Sequence, residues 1–222
     1  MASHLDLEEQ EQLAELKHFW QRWGNLITWL LVLVLGAYAA WTGWQLWSHR
    51  QAAQAAVLYD TVERAAATAD TTLLERAATD IEDKFSGTTY AQQSALLAAR
   101  VLFESGQTDR ARKQLQWVID RGQDDAFVAL ARLRLSAILI QETQLDQARQ
   151  VLSAKVPADF EPLVLDRLGD IDMLQNKPAD AVGHYQKAWS SMQANNEYRR
   201  LVAVKLAALG KDPEELPSAE KK

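Results

Sequence analysis

The chain has 222 residues, no cysteine and a formal net charge of −6 at pH 7. The lack of cysteine excludes disulfides, thiolate metal ligands and cysteine nucleophiles. The excess of acidic side chains argues against a nucleic-acid-binding protein, because phosphates attract a basic surface. If the first 50 residues serve as a membrane segment, about 170 remain, which is enough for one domain with its own core.

An uncharged run from Leu26 to Trp47 predicts a transmembrane helix. Its length of about 22 residues gives roughly 33 Å of helix, which matches the hydrocarbon core of a bilayer. Tryptophans, whose rings favour the membrane interface, collect towards its two ends: Trp20, Trp23, Trp29, Trp41, Trp44 and Trp47. The acidic N-terminal segment and the long apolar run are unlike a cleaved signal peptide. Basic residues lie on both sides of the run, so charge gives only a small preference for a cytoplasmic N-terminus.

Residues 1–25 are expected to form a cytoplasmic amphipathic segment. Leu13, Leu16, Trp20 and Trp23 recur at helical spacing and would share one face. Such a helix could lie on the membrane surface or bind a protein, and the sequence leaves both interpretations open.

Within the predicted membrane helix, residues 26–47, three small residues fall on one face: Gly36, Ala40 and Gly43. Small side chains let a second helix approach closely in lipid, so this face is a candidate transmembrane contact. The alternative is that glycine and alanine are simply common in membrane helices. Neither glycine nor proline follows until Gly87, which predicts that the helix continues beyond the span.

The rest of the chain, residues 48–210, predicts an all-α repeat domain. Four alanines, each followed four residues later by a bulky apolar side chain, recur at intervals of 34, 37 and 33 residues: Ala77, Ala111, Ala148 and Ala181. A period near 34 is typical of tetratricopeptide helical hairpins. The predicted fold is therefore one N-terminal transmembrane helix followed by a tetratricopeptide-like solenoid of helical hairpins.

The clearest hairpin runs from Leu168 to Trp189. Gly169 and Ala181 are small where two helices are expected to cross, and Tyr185 would fill the space beside them. Residues 176–178 predict the turn between the helices, with a proline well suited to the first helical position. The corresponding turns are expected at residues 106–107 and 143–144.

The C-terminal region predicts a closing helix, residues 197–209, followed by a flexible tail, residues 211–222. Leu201, Val204 and Leu209 are the residues expected to face the core. Gly210 is expected to end the helix.

No catalytic or metal-binding motif is present, so neither an enzyme nor a cofactor is expected. The four histidines lack metal-ligand spacing, and His184 is expected on a solvated helix face. Asp166, Asp170 and Asp172 could in principle serve acid–base chemistry. The favoured interpretation is that they are surface acids of one helix, close to Arg167.

Binding remains the best-supported class of function, since stacked hairpins form a concave surface lined by their first helices. The consensus spacing predicts these lining residues: Gln93, Leu96, Arg100, Phe103, Leu130, Leu133, Ala137, Ile140, Leu163, Asp166, Asp170 and Met173. This apolar groove with one arginine and two aspartates suits a greasy helix or an unfolded segment. Alternatively, the closing helix itself packs into the groove.

Several segments together resemble the YfgM-type family, the ancillary subunit of the bacterial Sec translocon. They are EEQEQLAELKHFWQRWGN, GWQLWSHRQAAQAA, FVALARLRLSAILIQ and VLDRLGDIDMLQNKPADAVGHYQKAW, in that order. The resemblance implies a single-pass inner-membrane protein with a periplasmic tetratricopeptide-like domain. It also implies association with SecYEG, the chaperone PpiD and periplasmic chaperones that receive secreted clients, with no small-molecule substrate. The alternative is a scaffold or assembly factor of another envelope complex, unrelated to secretion.

Overall fold

A computed structural model describes residues 7–213, with side chains from residue 13 onwards, and every regular element in this part is helical. In chain order the helices are α1 (Leu7–Ala67), α2 (Thr71–Phe85), α3 (Thr89–Glu104), α4 (Thr108–Arg121), α5 (Asp125–Gln141), α6 (Leu145–Leu152), α7 (Glu161–Leu174), α8 (Pro178–Ser191) and α9 (Tyr198–Ala208). A short 3₁₀ turn, Ala158–Phe160, precedes α7. The all-α prediction is confirmed. Residues 1–6 of the predicted amphipathic segment and residues 214–222 of the predicted tail lie outside the described residues.

The chain divides into two compact units, Met1–Gln51 and Ala52–Lys222. In the described part of the chain, one stretch, Leu13–Ala67 of α1, is long and apolar enough to cross a membrane. None of its most apolar window is buried within the protein, as suits a surface that meets lipid. Around Gly36 and Gly43 the space beside the backbone is open, so the small-residue face stays a predicted contact.

In the second unit, consecutive helices pack against each other in chain order from α2 to α9. The helices α3 with α4, α5 with α6 and α7 with α8 form the three predicted hairpins. The end of α1 and α2, which are joined by a tight turn and share one core cluster, form a further hairpin before them. Contacts between neighbours in the chain are what a repeat solenoid requires.

Four turns within the hairpins share one geometry. Each contains one residue with positive φ: Ala69 (52°), Gly106 (76°), Thr143 (60°) and Asn176 (58°). The amide of the next residue donates to the carbonyl five residues back, as from Gln107 to Leu102 at 2.8 Å and from Gln144 to Leu139 at 2.8 Å. This is the bond that closes a Schellman motif. The three predicted turns are confirmed, and the first hairpin, whose sequence fits the repeat poorly, has the same turn.

The close crossing predicted for α7 and α8 is also confirmed. A β-carbon on Gly169 would lie 2.5 Å from a ring carbon of Tyr185, so a larger residue would push the helices apart. Ala181 and Ala188 on α8 are fully buried.

The prediction for the core-facing side of α9 is wrong for two of three residues. Leu201 and Val204 are 46% and 66% exposed, while Val202 and Leu206 are fully buried and Leu209 is partly buried. The helix is rotated because its polar side chains, described below, reach buried acceptors on α7. The apolar pattern of so short a helix did not reveal this rotation.

The interpretation of the α7 acids as surface groups close to Arg167 is wrong for Asp166 and Asp172, whereas Asp170 is partly exposed and does lie 3.6 Å from Arg167. Asp166 and Asp172 are 0% and 2% exposed. Asp172 pairs with Arg149 of α6 at 2.5 Å and with Nδ1 of His184 of α8 at 2.6 Å. His184 is therefore a half-buried partner of Asp172 rather than a residue on a solvated face, and these contacts join three helices.

Candidate protein-binding groove

The twelve predicted lining residues all lie on the first helices of the three predicted hairpins. They are Gln93, Leu96, Arg100 and Phe103 on α3, Leu130, Leu133, Ala137 and Ile140 on α5, and Leu163, Asp166, Asp170 and Met173 on α7. These three helices contact one another in order, α3 with α5 and α5 with α7. The structure nevertheless divides the predicted surface into two parts with different surroundings.

The first part, which we call the open groove, is a solvent-accessible cleft of about 430 Å³. It is lined by Tyr59, Glu63, Gln93, Leu96, Leu97, Arg100, Phe127, Leu130 and Arg134. Four of these nine were predicted, and the other five come from the end of α1 and from further positions on α3 and α5. Two helical signals could have revealed the additions: Tyr59 and Glu63 are four residues apart, and Phe127 and Arg134 are seven apart.

Other predicted residues lie outside this cleft. Leu133 and Ile140 are partly buried against the main core, and Ala137 is also partly buried. Phe103 and Met173 are exposed near the C-terminal ends of α3 and α7. The consensus spacing therefore selected two of the three helices that line this cleft, α3 and α5, but it missed the end of α1 and included α7, which does not line the cleft.

The second part, which we call the covered end, consists of Leu163, Asp166 and Asp170 on α7. The Tyr198 hydroxyl of α9 donates to Asp166 at 2.7 Å. Nζ of Lys205 lies 2.8 Å from both Asp166 oxygens and 2.7 Å from Asp170. Leu163 packs against the apolar cluster that includes Val202 and Leu206 of α9.

This arrangement distinguishes the two alternatives left open by the sequence. The closing helix does cover the α7 part of the surface, and its lysine neutralises acids that would otherwise be available to a partner. Burial, together with the hydrogen bond to an Asp carboxylate, raises the pKa of both Tyr185 and Tyr198. These phenols therefore serve as permanent donors at neutral pH.

The open groove keeps a different set of charges. Nη1 of Arg134 donates to the Leu96 carbonyl at 3.1 Å, which fixes the guanidinium between α5 and α3. Burial lowers the pKa of Arg134, and the nearby charge of Arg100 lowers that pKa further. Burial also raises the pKa of Tyr59, with Glu63 as the next largest cause. Two cations and one carboxylate thus line an otherwise largely apolar cleft.

Among residues 13–213 no group of three or more histidine and acidic side chains is arranged to hold a metal ion. The perturbed groups around the covered end are joined to each other, with short bonds that cross between helices. That pattern is typical of structural ion pairs. The acids Asp166 and Asp172 therefore serve to join helices of the repeat domain.

Residues 17–211 match the family model described as a tetratricopeptide repeat-like domain. A relative from Neisseria gonorrhoeae (strain ATCC 700825 / FA 1090), named ancillary SecYEG translocon subunit, is 32% identical over 213 residues, 94% of this chain and 100% of the relative. The chain belongs to the YfgM-type family of ancillary SecYEG translocon subunits. A second relative with the same name, from Haemophilus influenzae (strain ATCC 51907 / DSM 11121 / KW20 / Rd), is 26% identical over 83% of this chain and 90% of its own.

Membership of the YfgM-type family confirms the resemblance inferred from the four sequence segments. It also confirms the tetratricopeptide-like nature of the repeats, because the family model covers nearly all of the helices described above.

Proposed function

We propose that this chain is a membrane-anchored, protein-binding subunit of the Sec translocon, and that its open groove holds a segment of a partner polypeptide. The two named relatives supply the link to SecYEG. One observation carries the binding role: the chain's own closing helix covers the α7 end of the surface, while the cleft between α1, α3 and α5 is open. An open cleft in a repeat domain that combines apolar side chains with charged ones is suited to a polypeptide.

In this proposal the chain crosses the inner membrane once. Residues 1–25 lie in the cytoplasm, residues 26–47 span the bilayer and residues 48–210 form the periplasmic domain. The exposed apolar side chains of α1 support the span. Gly36, Ala40 and Gly43 would contact a neighbouring transmembrane helix, for which a subunit of the translocon is the expected source.

The resemblance to the YfgM-type family further suggests PpiD and periplasmic chaperones as partners. The domain would then lie close to the translocon exit and transfer emerging clients to these chaperones. We propose binding alone as its activity, because the acids considered for chemistry are occupied by Lys205, Arg149 and His184.

The test is to isolate the full-length chain from membranes in mild detergent after cross-linking. Photo-crosslinkers at Gln93 and Leu130 lie in the open groove, and one at Thr79, an exposed residue of α2, serves as the control. We expect SecYEG to co-purify and the two groove positions to cross-link to polypeptides that Thr79 does not reach. Isolation of another envelope complex without SecYEG would instead identify the chain as a scaffold unrelated to secretion.

A further inference from the structure

We propose that the open groove selects segments in which an acidic side chain lies close to apolar ones, and that Arg134 and Arg100 pair with its carboxylate. This inference rests on the proposed binding function and adds the chemistry of the bound segment. The occupant is an internal stretch of a partner polypeptide that carries an aspartate or glutamate.

The charge of the accessible surface differs from the one that the sequence suggested. Asp166 and Asp170, the predicted acids of the groove, are paired with Lys205 at the covered end. Arg134, which the consensus spacing did not select, lines the open groove together with Arg100 and Glu63. The accessible cleft therefore has two cations and one anion, and complementarity favours an acidic ligand.

Arg134 is held in position without a carboxylate partner. Its Nη1 donates to the Leu96 carbonyl, and the ion pairs among residues 13–213 do not include it. Arg100, 58% exposed, contacts Glu104 only at 3.8 Å. Two neighbouring guanidinium groups repel each other, and a carboxylate between them would relieve this repulsion and accept charge-assisted hydrogen bonds.

Apolar side chains surround this pair. Leu130 and Phe127 precede Arg134 on α5 by one and two turns, or about 6 and 10 Å along the helix axis. An extended peptide covers that distance in two or three residues. Leu96 and Leu97 on α3 and Tyr59 on α1 provide apolar contacts from the other helices. Because apolar side chains on all three helices surround the arginines, the acidic residue of the ligand is expected to have apolar neighbours on both sides and not to be the end of a chain.

The chain offers a matched control on the same helix. Arg132 also lies on α5, is also half-buried, and also donates Nη1 to a main-chain carbonyl, that of Val151, at 3.1 Å. It lines a different cleft, between α4, α5 and α6. Removing its charge perturbs α5 to a similar extent but leaves the open groove unchanged.

The test uses the full-length chain in zwitterionic lipid nanodiscs, with empty nanodiscs as the blank. Fluorescent peptides GSFLSDSLFSG and GSFLSNSLFSG, both amidated at the C-terminus, differ only in one carboxylate. We expect the acidic peptide to bind about tenfold more tightly by fluorescence anisotropy. Arg134→Gln should remove this preference and Arg100→Gln should reduce it, while Arg132→Gln should retain it.

The outcomes separate the two levels of the proposal. If both peptides bind with equal affinity, the groove binds polypeptides but the acid selection is wrong. If neither binds and the groove positions form no cross-links, the binding function itself is wrong. A third peptide, GSFLSNSLF with a free C-terminal carboxylate, would overturn the choice of an internal acid if it alone bound tightly. Far-UV circular dichroism checks that each variant is folded, and the exposed Arg100 provides a variant whose loss leaves the core intact.

Discussion

The open groove and the covered end occupy equivalent faces of successive hairpins, but their charged side chains differ in burial and in their hydrogen-bond partners. At the covered end, Asp166 is fully buried and receives hydrogen bonds from Tyr198 and Lys205. In the open groove, Arg134 is half-buried and donates to a main-chain carbonyl. Buried charges with complete partners hold a fold together, whereas a partly satisfied cation at a cleft is available to a ligand. The comparison thus assigns stability to the covered end, and it supports our proposal that the open groove recognises a partner.

The largest expected effect comes from breaking the covered end. Lys205→Ala leaves Asp166 buried without a cation, and we expect the free energy of unfolding to fall by about 4 kcal/mol. Thermal or denaturant unfolding followed by far-UV circular dichroism measures the loss. Lys187→Ala, at an exposed position on α8, is the control. A loss below about 1 kcal/mol for Lys205→Ala would contradict the assignment of stability to this end.

The next effect concerns pH and a buried acid of α2. Burial raises the pKa of Glu82, on α2, to about 7, and its buried Oε1 has no hydrogen-bond partner among the described residues. Below pH 4.5 both folded and unfolded states are protonated. As pH rises towards 7 the unfolded state loses its proton first, so stability falls across this window. We expect a loss of about 2.5 kcal/mol between pH 5 and pH 8.

Glu82→Gln should remove this pH dependence, as measured by unfolding midpoints at the two pH values. Asp83→Asn should retain most of it, because the neighbouring charge is a smaller cause of the shifted pKa than burial. Equal pH slopes for the wild type and Glu82→Gln would show that Glu82 is not responsible.

The smallest expected effects come from substitutions in the turns, which share one geometry throughout the repeat domain. Thr143, a β-branched residue, lies at φ 60°, where glycine is favoured, while Gly106 occupies the same place in the preceding hairpin. We expect Thr143→Gly to stabilise the protein by about 0.5–1 kcal/mol and Gly106→Thr to destabilise it by about 1 kcal/mol. Unfolding midpoints measure both. Changes of the same sign in the two variants would refute the equivalence of the turns.

Features set by contacts within one hairpin were predictable from the sequence. The approach of Gly169 to Tyr185 and the turns at residues 106, 143 and 176 depend on neighbours in the chain, and the small or turn-forming residue types indicate them. Family membership was also predictable, because the four sequence segments occur in the order typical of the family. The predicted membrane segment, by contrast, follows from its expected contact with lipid and not from contacts within the protein.

Features set by partners from distant positions were not predictable. Asp166 depends on Lys205, 39 residues later, and Asp172 depends on Arg149, 23 residues earlier. No local sequence pattern indicates a pair of residues so far apart, and the sequence alone therefore predicts both acids on the surface. The contact between Asp166 and Lys205 also holds α9 in its rotated position, which explains the error at Leu201 and Val204. Arg134 was missed because the consensus spacing describes average hairpins and not the particular cleft between α1, α3 and α5.

The four shared turns have one more consequence. Each joint is closed by the same main-chain bond, although alanine, glycine, threonine and asparagine occupy the residue with positive φ. A hairpin could therefore be duplicated or deleted as a unit during evolution without any change to the turn between its two helices. The length of the solenoid, and with it the number of first helices that line its concave face, would then change in whole steps.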